Sequence, residues 1–534
     1  MTEIEHYTWA DKIVDYLRNR NVKKHVVHGM WTPSGYFHIG NARPEIMTPG
    51  LAYKAIRDAG LPVEFNFFVD DFDDLDKVPA NLNTKDFEEY LGKPLYEVPS
   101  PVDGYKSWAD FFTSEIREVM HIYDLKPEWY SSYENYQRGV YDEAIVTVLN
   151  NWKKARDIIV RITKSQKPEN WIPIMPICEN CGRSATTVAT EWDGQHLRYA
   201  CIQKRDYATG CNYEGEMKPE KGNSKLPWKI HWPATWHTFS VTFEIGGKDH
   251  FSSGGSVETG KVLQKEIFGT EPPVMIGTEF IQIDNKKISG SLGNVISLKQ
   301  WLGFAEPELL RFLYVSYQPN TVINIDVKSQ KFFLLTDRYD EAERCYYGDQ
   351  SISEKRTEQL KRQYVLSQVS EPPKEAPVQL SYSIAAMIAQ MLPNKSVDAI
   401  ASLLQSMGTI KKKELTEYDM NRLSSRLALA KHWICGYAPD DMKIHLNKEA
   451  PASAMTLNDN EKAAVSAIIK DVEKKITEAE LQSRIYDVAR EHGVEPKRFF
   501  QILYQLLISK DSGPRLGPFM LALGKDHIKK ILSF

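Results

Sequence analysis

The stretch from Lys24 to Ala59 leaves the fold least freedom. An apolar, strand-like run, Lys24 to Val27, leads into Thr32-Pro33-Ser34-Gly35-Tyr36-Phe37-His38-Ile39-Gly40-Asn41. A helix-like run then begins near Ala42 and reaches Ala59. A strand that turns through Pro, Ser and two Gly into a helix is how α/β folds build a phosphate site. The glycines admit a close-lying ligand, and the helix start is expected to aim free N–H groups and partial positive charge at an anion. His38 adds a side-chain donor, with Asn41 as a second. Pro44 and Pro49 fall in or near the first turn of that helix, where proline is tolerated at the start and disfavoured further in.

Far downstream, an apolar run from Glu279 to Ile283 precedes Lys286-Lys287-Ile288-Ser289-Gly290-Ser291-Leu292-Gly293-Asn294. Ammonium groups, hydroxyls and exposed backbone N–H groups suit a triphosphate. The two glycines fit a loop that closes over a bound nucleotide. Phe65 to Val69 reads as a buried parallel strand, like Val26-Val27. Asp70-Asp71-Phe72-Asp73-Asp74 therefore falls at a strand's carboxyl end, where open sheets bind ligands. Past Phe304 the patterns are helical, with a polar break at Glu371-Pro372-Pro373-Lys374-Glu375-Ala376-Pro377.

Taken together, the two motif segments resemble the paired HIGH and KMSKS signatures of class I aminoacyl-tRNA synthetases. His38-Ile39-Gly40-Asn41 stands for the first, with Asn last. Lys287-Ile288-Ser289-Gly290-Ser291 stands for the second, with Gly290 where many members carry a second lysine, so the phosphate contact falls to Lys287 or Lys286 and the serine hydroxyls. Thr32-Pro33-Ser34-Gly35, Asp70-Asp71-Phe72-Asp73 and Gly247-Lys248-Asp249-His250 with Gly254-Gly255-Ser256 are similar to the class I lysyl-tRNA synthetases. The match runs from residue 20 to about residue 345.

That resemblance implies ATP-dependent activation of L-lysine with Mg2+ and transfer of the lysyl group to tRNA(Lys), and it leaves the oligomeric state open. His38, Asn41, Lys287, Ser289 and Ser291 are the expected catalytic groups. Pro33, Ser34, Gly35, Gly40, Asp249 and Lys286 join them around ATP, with Asp249 suited to a ribose hydroxyl. A lysine substrate brings ammonium groups, which need carboxylates or aromatic faces when enclosed. Gly29, Thr32, Asp71, Trp228, Trp232 and His250 are the expected substrate contacts.

Cys178 and Cys181 have knuckle spacing, and Cys201 and Cys211 complete a four-thiolate set suited to structural zinc. The second pair is looser than the usual spacing, and His196 is a substitute ligand to weigh. Six cysteines in 534 residues form no dense disulfide framework.

The expected fold is α/β: a Rossmann-type parallel-sheet catalytic domain with an inserted zinc-like module and an all-α C-terminal domain. The expected division is 1–90 with 222–270 for the split catalytic domain and 91–221 for the insertion. The lysine–serine loop and stem-contact domain follow at 271–345, and a helical anticodon-binding domain at 346–534. Lys411-Lys412-Lys413, Lys474-Lys475 and Lys529-Lys530 give that last region local basic clusters. A net charge of −4 excludes a globally basic nucleic-acid binder. No run approaches the roughly 18 apolar residues of a membrane span, which points to a soluble, cytoplasmic protein. The competing readings are a glutamyl-type synthetase, a non-catalytic tRNA-binding relative and a small-molecule nucleotidyltransferase.

Overall fold

The computed structural model describes residues 7–79, 82–283, 285–288, 295–393, 395–474, 476–513 and 515–533. The chain divides into two compact units. One comprises Met1–Trp301, Pro307–Ile325 and Ile352–Pro372, the other Leu302–Glu306, Asp326–Ser351 and Pro373–Phe534. No helix among the described residues is long and apolar enough to cross a membrane.

The first unit is built on five parallel strands: β1 (His25–Trp31), β2 (Val63–Val69), β3 (Glu128–Ser131), β4 (Phe243–Gly247) and β5 (Val274–Thr278). Their spatial order is β5-β4-β1-β2-β3. The central strand, β1, is buried at every position. It pairs with β2 from His25↔Val63 to Trp31↔Val69 and with β4 at Val27↔Phe243 and His28↔Glu244. Helices cover both faces of such sheets, which is why β1 and β2 read as near-continuous apolar runs. From β1 the chain moves to β2 on one side, while β4 enters on the other. The carboxyl ends of β1 and β4 therefore flank the switch point, where ligands bind in open α/β sheets.

Two strands lie outside the stretches expected to form the catalytic domain. β3 falls within residues 91–221, yet it pairs with β2 through Asn66↔Glu128 to Val69↔Ser131. β5 lies beyond residue 270 and pairs with β4. Both are short edge strands, too brief to show a period of their own.

Beyond β3, helices Ser132–Gln137, Asp142–Asn150 and Trp152–Thr163 lead into a small module. Its antiparallel strands Thr187–Trp192, Leu197–Cys201 and Glu214–Met217 form a separate sheet. The chain returns through Ser224–Lys225, paired with Met175–Pro176, and through helix Trp228–Thr238 to β4. Past β5, Ile281–Ile283 pairs antiparallel with Lys286–Lys287 and parallel with Ile323–Ile325. The expected lysine-rich loop thus begins as the second arm of a hairpin.

Helix Glu354–Ser367 belongs to the first unit. Arg362 pairs there with Asp11 and Asp58, and the buried Arg311 guanidinium donates to the Ser367 and Leu366 carbonyls. The second unit, among the described residues, is helical, with Glu417–Gly436 its longest helix. A buried ion-pair set organises it. Arg426 meets Glu306 and Asp340, and Arg422 meets Glu343.

Candidate functional site

The turn after β1 is fixed before it reaches His38. Ser34 N–H donates to the Thr32 carbonyl, and Trp108 Nε1 donates to the Pro33 carbonyl at 3.0 Å. Gly35 packs beside Pro79. His38 then caps the short helix Ile39–Ala42. Its Nδ1 accepts from Gly40 N–H at 3.1 Å and Asn41 N–H at 3.2 Å. A side chain at Gly40 would press on the imidazole at 2.9 Å.

This geometry corrects the expectation of free N–H groups awaiting an anion. Gly40 and Asn41 donate to His38, and Ile39 N–H donates to the Ile296 carbonyl. The imidazole itself becomes the donor. Nδ1 must be unprotonated to accept, so the ring proton sits on Nε2. Burial lowers the His38 pKa to about 4, which keeps the ring neutral at physiological pH.

The long helix expected from Ala42 to Ala59 is three pieces: Ile39–Ala42, a π-helical turn at Arg43–Met47, and Thr48–Asp58. Pro49 supplies the reason. It has no N–H for the Glu45 carbonyl, and its ring crowds that oxygen, so the helix widens by one residue. β1 passes close to the Glu45 carbonyl at Gly29. A Cβ there would lie 2.1 Å from the Glu45 oxygen and 3.3 Å from the Phe67 ring. Gly29, expected to hold the substrate, permits this backbone approach.

Arg43, in the same wide turn, ties the first motif to the chain on either side of the second. Its buried guanidinium donates to the carbonyls of Glu279, Thr321, Gln318 and Pro319 at 2.9–3.2 Å. Tyr314 Oη donates to the Ile39 carbonyl at 2.8 Å. On the other segment, Ile288 is buried and its Cδ1 lies 3.6 Å from a Cβ built on Gly40. Both flanks of the lysine–serine loop, Ile288 and Ile296, therefore touch the His38 turn. Lys286 is exposed on the hairpin arm, and the Lys287 backbone pairs with Gln282. Ser289, Ser291 and the Lys287 side chain lie outside the described residues. The short 3-10 turn Lys248–Phe251 follows β4 directly. Lys248 pairs with Glu279 at 2.7 Å, and Asp249 is exposed at the sheet's carboxyl edge.

A cavity of about 260 Å³ opens between the ends of β1 and β4. Its wall includes Met30, Trp31, Thr32, Glu45, Asp73, Trp228, Trp232, Glu244, Gly247 and His250. The Trp228 and Trp232 rings stack 5.0 Å apart, and His250 sits 5.2 Å from Trp232. Glu244 accepts from Trp232 Nε1 at 2.8 Å and from Trp236 Nε1. Burial pushes its carboxyl up to about 8. Burial and then Glu244 push Glu45 well above its usual range. Burial also lowers the His250 pKa.

The acidic run at 70–74 divides its roles. Asp73 lines the cavity and pairs with buried Lys225 at 2.9 Å. Asp71 stands outside that wall. It accepts from Ser131 Oγ at 2.6 Å and Tyr133 N–H at 2.8 Å, which ties β2 to the chain after β3. Asp74 accepts from Ser184 in the cysteine module. Asp70 lies 3.9 Å from His231, whose Nδ1 meets Tyr136 Oη at 3.0 Å.

Sequence reading missed Glu45 and Glu244 as wall residues. Two prolines five residues apart were the available sign of a wide turn around Glu45. Glu244 was visible only as an acidic residue inside an otherwise apolar strand.

In the small module the four cysteine sulfurs lie within 4.8 Å of one another. Cys178 and Cys211 are 3.6 Å apart, and Cys181 and Cys201 are 3.8 Å apart. Zn–S bonds of about 2.3 Å in a tetrahedron give S···S edges of roughly 3.8 Å, so the set fits that ion. The long Cys201–Cys211 spacing closes on itself, with Asn212 N–H bonded to the Cys201 carbonyl. His196 is not in the group. It faces Asp193 instead, as the neighbouring hairpin turns there.

A family model described as class I (K) tRNA synthetases matches residues 7–370. The lysine–tRNA ligase of Methanocaldococcus jannaschii is 34% identical, over 97% of this chain and 98% of that protein. That of Pyrococcus horikoshii is 33% identical over 98% and 99%. That of Borrelia garinii subsp. bavariensis is 34% identical over 98% of each.

Proposed function

The chain belongs to the class I tRNA synthetase family, and from that premise we propose that it is a lysine–tRNA ligase. The lysine carboxylate attacks the α-phosphate of ATP, pyrophosphate leaves, and the lysyl group passes to a hydroxyl of the tRNA(Lys) terminal adenosine. Positioning and charge stabilisation carry such phosphoryl chemistry, so no nucleophilic side chain is needed. ATP brings Mg2+ as its counter-ion, and the reaction takes place in the cytoplasm.

The observation that carries the reading is the pairing of two features at one switch point. Neutral His38 offers Nε2–H beside the motif flanks, and a cavity rich in carboxyl groups and indoles opens at the carboxyl end of the same strand, β1. His38 donates to the phosphates as charge develops. Asn41, Lys286 and Lys287 with Ser289 and Ser291 serve the triphosphate, Pro33, Ser34, Gly35 and Gly40 shape its cradle, and Asp249 serves the ribose. Trp228 and Trp232 flank the lysine stem, and Thr32 and His250 complete the cavity. Gly29 acts by letting the wide turn approach, and Asp71 by holding the strand end. The helical second unit reads the anticodon, since RNA is recognised through unstacked loop bases.

The wall disfavours a glutamyl-type enzyme. Three carboxyl side chains and no lysine or arginine occur among the described lining residues, so the wall itself offers no cationic partner for a side-chain carboxylate. Amino-acid-dependent ATP–pyrophosphate exchange across all twenty amino acids tests the assignment. Lysine is expected to support exchange above every other. Exchange with glutamate, or tRNA binding with no exchange at all, would replace this reading with one of its rivals.

The four cysteines hold a structural zinc. Metal analysis of the purified protein should return about one equivalent. Cys178→Ser should lower both the metal content and the melting temperature. Full stability with no bound metal would remove the zinc.

A further inference from the structure

The cavity wall carries more negative capacity than its surroundings offset. Asp73 has Lys225 at 2.9 Å. Glu244 has two indole N–H groups, which are neutral donors. Glu45 and Glu244 share the same small cavity. Two carboxylates in one enclosed space resist ionising together and titrate as a pair.

On its β5 side Glu244 stands in register with Met275, which carries no charge. β1 presents His28, whose Nε2 is 3.9 Å from Glu244 Oε1. Burial holds that imidazole neutral, with a pKa of about 3. Helix Trp228–Thr238 presents Trp232, Trp236 and the buried His231, and the π-helical turn presents Glu45. The segment after β4 presents His250 with Lys229 near it, and Lys229 donates to the Gly254 carbonyl. Asp70 lies beyond His231. Each ammonium in this set already has a protein partner.

We propose that lysine enters this cavity by exchanging its side-chain ammonium for a proton: Glu45 and Glu244 are both protonated when the cavity is empty, and the pair releases one proton to solvent when the ammonium arrives. This deepens the ligase reading and rests on it. No bond is made or broken except O–H, and the released proton goes to the buffer. The raised carboxyl range of Glu244 and Glu45 agrees with this exchange. An isosteric apolar side chain enters without displacing the proton, so of the two only lysine binding is linked to pH.

Calorimetry of lysine binding to the full-length protein at pH 7, in phosphate and in Tris, measures the proton count. About one proton released per lysine is expected, because a group titrating near 8 is mostly protonated at pH 7. Glu244→Gln should lower the count. The KM for lysine should fall by up to about tenfold between pH 6.5 and 7.5. Inhibition of exchange by L-norleucine, which lacks the ammonium, should be pH-independent over the same range. Lysine binding with the same heat in both buffers overturns the proposal, as does equal proton release on norleucine binding. A wild-type count in Glu244→Gln overturns the assignment to this pair. If lysine gives no saturable heat while another amino acid does, the ligase reading falls and this proposal with it.

Discussion

His38→Ala should reduce lysine-dependent ATP–pyrophosphate exchange by about 10²–10³-fold in kcat, with the KM for ATP changed only a few-fold. The imidazole has one nitrogen committed to backbone donors and one left to donate. A neutral, prepositioned N–H aimed at developing charge acts in the transition state more than in the ground state. Its removal therefore falls on kcat. The same residue is an N-cap, whose loss costs roughly 0.5–2 kcal/mol of stability. His38→Asn separates the two roles. Asparagine caps helices well but cannot place a ring N–H in the same position. We expect His38→Asn to keep the melting temperature and lose the rate. Wild-type exchange by His38→Asn would reduce His38 to a cap.

Gly29→Ala should be nearly as damaging, through a different parameter. The added methyl would sit 2.1 Å from a backbone carbonyl in the Arg43–Met47 turn. That oxygen cannot swing aside as a flexible side chain would, so either β1 or the wide turn must shift. Overpacking of this kind costs typically 1–3 kcal/mol. A displacement of about 1 Å at a positioning group costs on the order of 10²-fold. Because Glu45 lines the cavity proposed for lysine, the loss should appear chiefly in the KM for lysine. A Gly29→Ala enzyme with unchanged KM for both substrates would show that the two backbones separate freely.

The sequence made the sheet's centre legible because strands buried on both faces read as apolar runs. β1 and β2 were visible on that ground. Glu244 was not anticipated as a wall residue, since an acidic residue within an apolar run does not reveal the two indoles that hold it. Glu45 was hidden for a geometric reason. It lies between Pro44 and Ile46 in what reads as one helix, and a π-helical turn rephases every side chain beyond it. The Cys178–Cys181 spacing is local and was plain. The Cys201–Cys211 closure depends on a hydrogen bond between chain segments, which no spacing rule expresses. The acidic run after β2 was correctly placed at a strand end. Which of its members faces the cavity is decided by Ser131 and Lys225, which are remote in sequence.

The wide turn between Pro44 and Pro49 carries an implication for redesign. The aim of residue 45 into its cavity is stored in the pitch of the main chain. An engineer who exchanged Glu45 for another side chain would inherit its present aim. One who replaced Pro49 with a residue bearing an N–H would let the helix tighten and swing position 45 around its axis. Pro49 therefore acts as a mechanical setting for the cavity wall, adjustable without changing any residue that lines it.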